Sequence, residues 1–461
     1  MKAGVHAMPE ACSEASPTVQ LVQIEVSPTH PLLLLKRALP WDTRTEVMTR
    51  HWRQHGKNVD GGPGLPWDVS LYVPLVVLML IKAFDSRQME AYLAENVVAR
   101  VFIGRQHDPQ AQRRDHSNIA RAYAALGKAG IDEVNHLVLK EAHRYGFIDE
   151  GVLSADTTAQ ELPLGYPNEP GILRGLAQRC GRALTQLAKR GMCGLDRVQE
   201  QVQTILRSVN EHHLFTAGKA DKREVLTRIL KEVGALIVQT RPLVERLATS
   251  ADRVIQSARA RLLAMHEVIK PLMGQIVQWI STGKVAANKI VHVGIPQARA
   301  MVRNKAGKKT EFGLAYLISR LGGGYLFGER LAANADERQM PLKALWGYRA
   351  IFGQEATPEL VVYDRGGDST ATRQRLALEG IKDVGIQPKG NRPWSVAEGV
   401  REQIRSERGR TEGSIGTLKS NRYKFNKPQE RLWQTLEMAG PRSILSFNLN
   451  KFMRDLVALT Q

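Results

Sequence analysis

The six residues ELVVYD at 359–364 constrain the fold more than any other stretch of this chain. They form a continuous apolar run of strand length that ends in an acid, and the polar residues RGGDS follow directly. An apolar run without alternation is typical of a central strand that is buried on both faces. Such a strand has to be covered by other layers, so the sequence predicts a sheet packed against helices.

Strand patterns also occur elsewhere in the chain. Residues 151–165, GVLSADTTAQELPLG, have a β-type composition, and residues 309–331 predict two strands joined by a glycine-rich hairpin. A further short strand is predicted at 383–388, DVGIQP. Helices are predicted next to these strands, at 341–353 and 396–420 among others. The order of elements therefore predicts an α/β (α+β) fold with one layered sheet.

Helical patterns fill the rest of the chain. Apolar residues recur at helical spacing over 29–148, which predicts an all-α domain with a basic loop that is either a DNA-binding element or simply solvated. Residues 171–290 predict long helices rich in arginine, and we interpret them as a large insertion that interrupts a sheet-containing domain at 149–461. Residues 1–28 are polar and small, and they predict a flexible tail.

The charge balance indicates the kind of partner. The chain has 461 residues, with 65 Lys and Arg against 46 Asp and Glu, for a formal charge of +19. A surplus of this size favours a polyanionic partner, with nucleic acid ahead of membrane lipid. The alternative is a generically basic protein.

Neither a membrane segment nor a disulfide framework is predicted. The apolar run from Leu71 is too short to span a bilayer and contains Pro74, so it predicts a buried helix. Cys12, Cys180 and Cys193 have no metal-binding spacing, and their odd number makes a disulfide framework unlikely. These features favour a cytoplasmic protein without a membrane partner.

Three acids occupy positions that suit metal chemistry. Asp156 lies in the first β-type segment, Asp364 ends the apolar strand, and Glu412 lies on the late helix among many basic residues. Ligands commonly bind at the carboxyl ends of strands, and converging carboxylates are the ligands that Mg²⁺ prefers. Each acid could instead be a cap, a turn former or a salt-bridge partner. Asp368 is the rival of Asp364, although its position beside Ser369 suits a helix start.

Four stretches together resemble the bacterial insertion-sequence DDE transposases with an RNase-H-like catalytic domain. They are DHSNIARAYAALGKAGIDEVNHLVLKEAHRYGFIDEGVLSADTTA (115–159), YPNEPGILRGL (166–176), VVYDRGGDS (361–369) and RGRTEGSIGTLKSNRYKFNKP from residue 408. The last stretch matches three of the four positions of the Tyr-Arg-Glu-Lys signature of that family, through Arg408, Glu412 and Lys419. Arg405 stands at the Tyr position.

The resemblance implies an RNase-H-like mixed sheet at 149–461 and a helical DNA-binding domain at 29–148. It also implies that Asp156, Asp364 and Glu412 are catalytic and hold two Mg²⁺ ions, for which Mn²⁺ can substitute. The expected partners are double-stranded DNA, as terminal inverted repeats and target, and a second copy of the chain, in the bacterial nucleoid. The expected DNA contacts are Arg405, Arg408, Lys419, Arg422 and Lys424.

Two alternatives to an active transposase remain open at this point. One is a catalytically inactive, transposase-derived DNA-binding protein, and the other is an RNase-H-like nuclease. The late helix also contains Gly409, Gly413 and Gly416, each of which costs about 1 kcal/mol relative to Ala in a helix interior. Close approach of the sheet or of a DNA backbone would explain these glycines.

Overall fold

The structure is a computed structural model, and it describes the chain from residue 25 onward with short gaps. The described ranges are 25–60, 67–107, 115–214, 218–305, 308–332, 335–390, 392–394, 396–430 and 432–461. Most of the predicted tail at 1–28 therefore lies outside the described residues.

The region before the sheet is helical in its described parts, as predicted. Its helices are α1 (Pro31–Ala38), α2 (Trp41–Gln54), α3 (Val69–Lys82), α4 (Ser86–Glu95), α5 (Val97–Phe102) and α6 (His116–Arg144). The apolar run from Leu71 forms α3, and most of its side chains are buried, as predicted. None of the helices in the described ranges is by itself long and apolar enough to span a membrane; α3 and α4 reach that length together, but they are bent by 103°.

Six strands form one mixed sheet. They are β1 (Asp149–Glu161), β2 (Arg299–Lys305), β3 (Lys308–Gly322), β4 (Leu326–Arg330), β5 (Leu360–Tyr363) and β6 (Asp383–Ile386). The order is β2-β3-β1-β5-β6, and β4 also pairs with β3. β3 is antiparallel to its neighbours, whereas β1, β5 and β6 are parallel. The predicted hairpin at 309–331 is confirmed as β3 and β4.

The remaining helices fall into an insertion and a set that covers the sheet. The insertion contains α7 (Glu169–Ala188), α8 (Asp196–Leu214), α9 (Lys219–Arg246) and α10 (Arg253–Thr282). These helices lie between β1 and β2 in the chain and bury a cluster of their own apolar residues, across the range 171–290 for which an insertion is predicted. The other helices are α11 (Met340–Phe352), α12 (Thr370–Leu378), α13 (Glu398–Leu418) and α14 (Trp433–Ala458).

Different helices pack against the two faces of the sheet. On one face, side chains such as Leu153 and Leu321 belong to the same buried cluster as Trp52 of α2, Tyr348 of α11 and Phe452 of α14. The boundary predicted near residue 148 thus lies within a shared core. On the other face, α13 packs across β1, β3, β5 and β6. The fold is a mixed α/β structure, in agreement with the predicted class.

Candidate active site

Two parallel strands place Asp156 and Asp364 at the same level of the sheet. Ser154 of β1 is in register with Val362 of β5. Asp156 lies two residues beyond Ser154, and Asp364 lies two residues beyond Val362, directly after β5 ends at Tyr363. Because side chains alternate with a period of two on both strands, this register directs both acids toward the face that carries α13.

Buried polar contacts fix α13 on this face. The hydroxyls of Thr411 and Ser154 form a buried hydrogen bond of 2.7 Å. Glu407, one turn earlier on the helix, is buried and accepts from Arg320 of β3 at 2.5 Å and from Arg410 at 2.6 Å. Since Thr411 directly precedes Glu412, these bonds set the position of Glu412 over the sheet.

The three predicted acids line one small pocket. Its lining residues are Ser154, Ala155, Asp156, Asp364, Arg408, Thr411 and Glu412. The acids come from β1, from the end of β5 and from α13, which are distant in the sequence. The structure therefore brings together the three residues that the sequence predicts as catalytic, with Arg408 beside them.

Each acid has a different environment. Asp156 and Asp364 are half-buried, and Asp364 Oδ1 accepts from the backbone N–H of Gly366 at 2.8 Å. The side chain of Glu412 is 67% exposed, and its nearest cation is Arg408, at 4.0 Å from Nη2 to Oε1. A contact of this length between exposed groups is weak. Glu412 is therefore not held as a salt-bridge partner of the surrounding arginines.

The negative charge of the pocket acts on a neighbouring phenol. Tyr363 is 1% exposed and directly precedes Asp364. Burial, together with the charges of Glu337, Asp364 and Asp156, raises the pKa of Tyr363 well above its usual value. Tyr363 is therefore neutral at physiological pH, and its side chain belongs to the buried cluster on the face of the sheet opposite α13.

The carboxylates of Asp156, Asp364 and Glu412 are chemically suited to Mg²⁺, because hard divalent cations prefer carboxylate oxygens. Within the described part of the chain, however, no three Asp, Glu, His or Cys side chains converge closely enough to hold a metal ion. Glu412 is the side chain that has room to move, since it is exposed and only loosely paired. A Mg²⁺ ion held at this pocket would draw on the carboxylates of Asp156, Asp364 and Glu412, which all line it.

Asp368, the rival of Asp364, has a structural role. Its side chain is fully buried and forms ion pairs with Arg373, at 2.8 Å, and with Arg392. It also accepts from the backbone N–H of Lys389 at 2.8 Å. The cap of α12 is Ser369 and not Asp368. With its oxygens engaged in this way, Asp368 ties the start of α12 to the segment after β6.

The predicted DNA contacts separate into two groups. Arg405 is exposed on α13, Arg408 lines the acid pocket, and Lys419 lies at the C-cap of the same helix.

The second group has partners within the protein. Arg422 donates to Asn450 Oδ1 at 2.8 Å, and Lys424 donates to Gln88 Oε1 at 3.2 Å. These two cations hold the loop after α13 against α14 and α4, so the structure gives them partners within the protein.

The glycines of α13 do not contact the sheet. A Cβ atom added at Gly409, Gly413 or Gly416 would meet no heavy atom within 4 Å. Approach of the sheet, one of the two explanations offered for these glycines, is therefore wrong. The other explanation, approach of a DNA backbone, stays a prediction.

Sequence reasoning missed the residues that hold the acids in place. Arg320 lies within the otherwise apolar strand LAYLISRL, and a lone charge there could have indicated a buried ion pair such as the one with Glu407. Ser154 and Thr411 gave no local signal, because their bond joins residues 257 positions apart.

Comparisons with known proteins add no relative to this description. No family model, no curated protein and no solved structure matches the chain.

Proposed function

We propose that this protein is the DNA transposase of a bacterial insertion sequence, which cuts DNA at the ends of its element and joins the freed 3′-OH to target DNA. The observation that carries the proposal is the pocket formed by Asp156, Asp364 and Glu412. The three acids come from separate stretches of the sequence, and each occupies a position there that suits a metal ligand.

The sheet topology supports an RNase-H-like assignment for the catalytic part. β1 carries the first acid, its parallel neighbour β5 ends at the second, and α13 on the covering face carries the third. The hairpin of β3 and β4 lies on the antiparallel side of β1. We propose that residues 149–461 form this catalytic domain, with the four-helix insertion placed between β1 and β2.

In the proposed reaction, Asp156, Asp364 and Glu412 hold two Mg²⁺ ions. Such ions supply Lewis acidity at the phosphate and activate the attacking hydroxyl. Arg408 lies at the same pocket, half-buried, and is placed to bind a phosphate oxygen of the DNA. Ser154 and Thr411 keep α13 seated on β1, and so maintain the spacing of the carboxylates.

The formal charge of +19 supports DNA as the partner, since cationic surfaces bind phosphate backbones with little regard to sequence. Arg405 is exposed on the same helix as Glu412 and is proposed to contact the DNA beside the cleaved bond. An element has two ends, and joining both in one event favours a homodimer. The proposed site of action is the nucleoid.

The test is strand cleavage of DNA that carries the terminal repeats flanking the gene, with Mg²⁺ or with EDTA. We expect Asp364→Asn and Glu412→Gln each to lower the cleavage rate by at least about 100-fold, because changing even a residue that supports a metal ligand commonly costs about 10- to 100-fold, while DNA binding is kept. Glu402→Gln is the matched control, because Glu402 is an exposed acid of α13 outside the pocket. Full activity of Asp364→Asn would refute the assignment.

The same assay separates the two alternatives. Cleavage of any DNA without joining of the 3′-OH to a target would identify a nuclease. Binding of the repeats without cleavage in Mg²⁺ or Mn²⁺ would identify an inactive DNA-binding protein.

A further inference from the structure

A second cleft opens where the chain leaves β1 and enters α7. It has a volume of about 590 Å³, which lies in the range of ligand-binding clefts. Its walls come from residues 162–167, from residues 171–182 of α7, from residues 291–295 and from Glu430. All seven residues that line the acid pocket lie outside it.

The cleft has unbalanced positive charge. Arg179 and Arg182 lie on neighbouring positions of one face of α7, and within the described residues neither forms an ion pair or a hydrogen bond. Arg261 of α10 is close by, and donates to Gln186 at 2.9 Å. Burial, followed by the charges of Arg261 and Arg182, lowers the pKa of Arg179. An anion bound in the cleft would relieve this repulsion.

The wall of the cleft holds Arg179 in place without neutralising it. Gly294 leaves room for the guanidinium, because a Cβ atom there would lie 2.1 Å from Arg179 Nη1. The ring of His292 accepts from the backbone N–H of Gly294 at 3.1 Å. Burial and the charge of Arg179 lower the pKa of His292, so the ring is neutral at physiological pH. The neutral ring therefore supplies no negative charge that would pair with Arg179.

An exposed aromatic ring stands at the rim. Tyr166 is 82% exposed, and its ring packs edge to face on Phe312 with the centroids 5.7 Å apart. The contact holds the ring in a defined orientation while most of its surface faces solvent. Tyr166 thus lines the same cleft as Arg179 and Arg182, and a cationic groove with an aromatic ring is common in surfaces that bind single-stranded nucleic acids.

The cleft is connected to the acid pocket through β1. Asp156 lies on this strand, and Glu161 at its end is bonded to the loop after α13, with Lys427 N–H donating to its carbonyl at 2.7 Å. Glu161 N–H also donates to Asn426 Oδ1 at 3.1 Å. From Asp156 to Leu162 the strand rises about 20 Å, at roughly 3.3 Å per residue. This distance corresponds to about six nucleotides of a DNA strand at 3.4 Å each.

We propose that the cleft binds the phosphodiester backbone of DNA about six nucleotides from the cleaved bond, with Arg179 and Arg182 on phosphates and Tyr166 against a sugar or base. The inference rests on the proposed function, because it takes the acid pocket as the point of cleavage. It gives the insertion a role in holding the DNA that extends from that pocket.

The test is the salt dependence of DNA binding, measured by fluorescence anisotropy with a 40-base-pair labelled duplex in EDTA. Each phosphate contact contributes a slope of about 0.9 in log K against log salt. We therefore expect Arg179→Gln with Arg182→Gln to reduce the slope by about 1.8 and to weaken binding at least about 10-fold at low salt. Tyr166→Ala should weaken binding several-fold, whereas Tyr166→Phe should not.

The matched control removes the same charge elsewhere on the insertion. Arg197→Gln with Arg207→Gln changes two arginines of α8 that lie outside the cleft, and we expect its slope to match that of the unmodified protein. If the cleft variant and this control give equal slopes, the inference is wrong. If the unmodified protein does not bind the duplex at all, the proposed function itself fails. The assay contains no divalent cation, so loss of cleavage cannot affect either result.

Discussion

At the scale of single residues, Arg44 is the least compensated charge in the described chain. It lies on α2 with no exposed surface, and none of its three guanidinium nitrogens has a hydrogen-bond partner there. The centroid of the Trp41 ring lies 5.9 Å from the guanidinium carbon of Arg44. Burial lowers the pKa of Arg44 to about 9, and the charge of Glu141 offsets this effect only in part. An isolated buried charge of this kind destabilises the folded state.

We expect Arg44→Met to stabilise the protein by about 1–4 kcal/mol at pH 8, as found when buried ions are replaced by apolar groups of similar size. Below pH 9 both the folded and the unfolded chain hold the Arg44 proton, so the full penalty is present. Above pH 9 only the folded chain releases it, and the penalty decreases as the pH rises. The advantage of the variant over the unmodified protein should therefore be smaller at pH 10.5 than at pH 8.

Urea unfolding at the two pH values measures this difference. Arg50→Met is the matched control, because Arg50 lies on the same helix but is exposed and paired with Glu133. The control should show no stabilisation. An unchanged or lowered unfolding midpoint for Arg44→Met would contradict the prediction.

The residues of the acid pocket show which contacts a sequence can predict. Asp156 and Asp364 could be predicted from the sequence because each belongs to a recognisable strand pattern: Asp156 lies within β1, and Asp364 directly follows β5. The ion pair between Arg320 and Glu407 could not be predicted from the sequence, because its partners are 87 positions apart and no local pattern relates them. Local periodicity predicts the elements, whereas their pairing depends on the whole sheet.

At the scale of elements, α13 carries both Glu412 of the acid pocket and an unusual set of glycines. Gly409, Gly413 and Gly416 lie within the helix at sites where added methyl groups would meet open space. We expect each Gly→Ala change to raise the free energy of unfolding by about 1 kcal/mol, because Ala loses less backbone entropy. Thermal unfolding measures this gain.

The contrasting variant is Gly313→Ala. A Cβ atom at Gly313 of β3 would lie 1.9 Å from the carbonyl oxygen of Gln160, so this change should lower the melting temperature. Cleavage assays on the α13 variants then test the remaining explanation of the glycines. If a DNA backbone approaches this surface, Gly413→Ala should be more stable yet slower in cleavage. Equal cleavage rates in all three helix variants would exclude that approach.

Two elements escaped prediction from the sequence for opposite reasons. β2 is an edge strand whose sequence, RAMVRNK, is largely polar, and Val302 within it is 76% exposed. α14 is buried nearly all round, so its polar residues do not mark a solvent face. Asn448 accepts from Leu326 N–H at 2.9 Å, and Asn450 donates to the carbonyl of Ile81 at 2.7 Å. Amphipathic patterns fail when an element is either unburied or buried on every side.

At the scale of the whole molecule, the described part of the chain contains four clusters of buried apolar residues, and the two largest differ in their connection to the sheet. The N-terminal helices, one face of the sheet and α14 share a single cluster. The insertion has its own cluster, and its two ends lie together, because Glu169 at the start of α7 forms an ion pair of 2.5 Å with Lys289. The insertion is therefore a helical unit with its own core, placed between two strands of one sheet. The arginine-rich helical patterns of the sequence predict that such a unit exists but not how its helices pack.

We expect the insertion to be removable without unfolding the rest. Replacing residues 170–288 by about six Gly and Ser residues gives a linker with a mean span of about 13 Å, which is enough to join Glu169 to Lys289. The variant should be monodisperse, should retain the sheet and should lose the helical signal of α7 to α10 in circular dichroism. All the residues of the acid pocket remain in it. Metal-dependent cleavage should therefore persist at high DNA concentration, with weaker binding because Arg179 and Arg182 are absent.

Calorimetry of the two proteins provides the decisive comparison. The full chain should show a transition that the shortened protein lacks, because the insertion buries its own core and can unfold as a separate unit. Leu226→Ala opens a cavity inside the core of the insertion. Because the shared cluster of the sheet stays intact, this variant should lower the midpoint temperature of the insertion's transition alone. If Leu226→Ala instead lowers every transition equally, or if the shortened chain is unfolded, the insertion is an integral part of the core and its role extends beyond holding DNA.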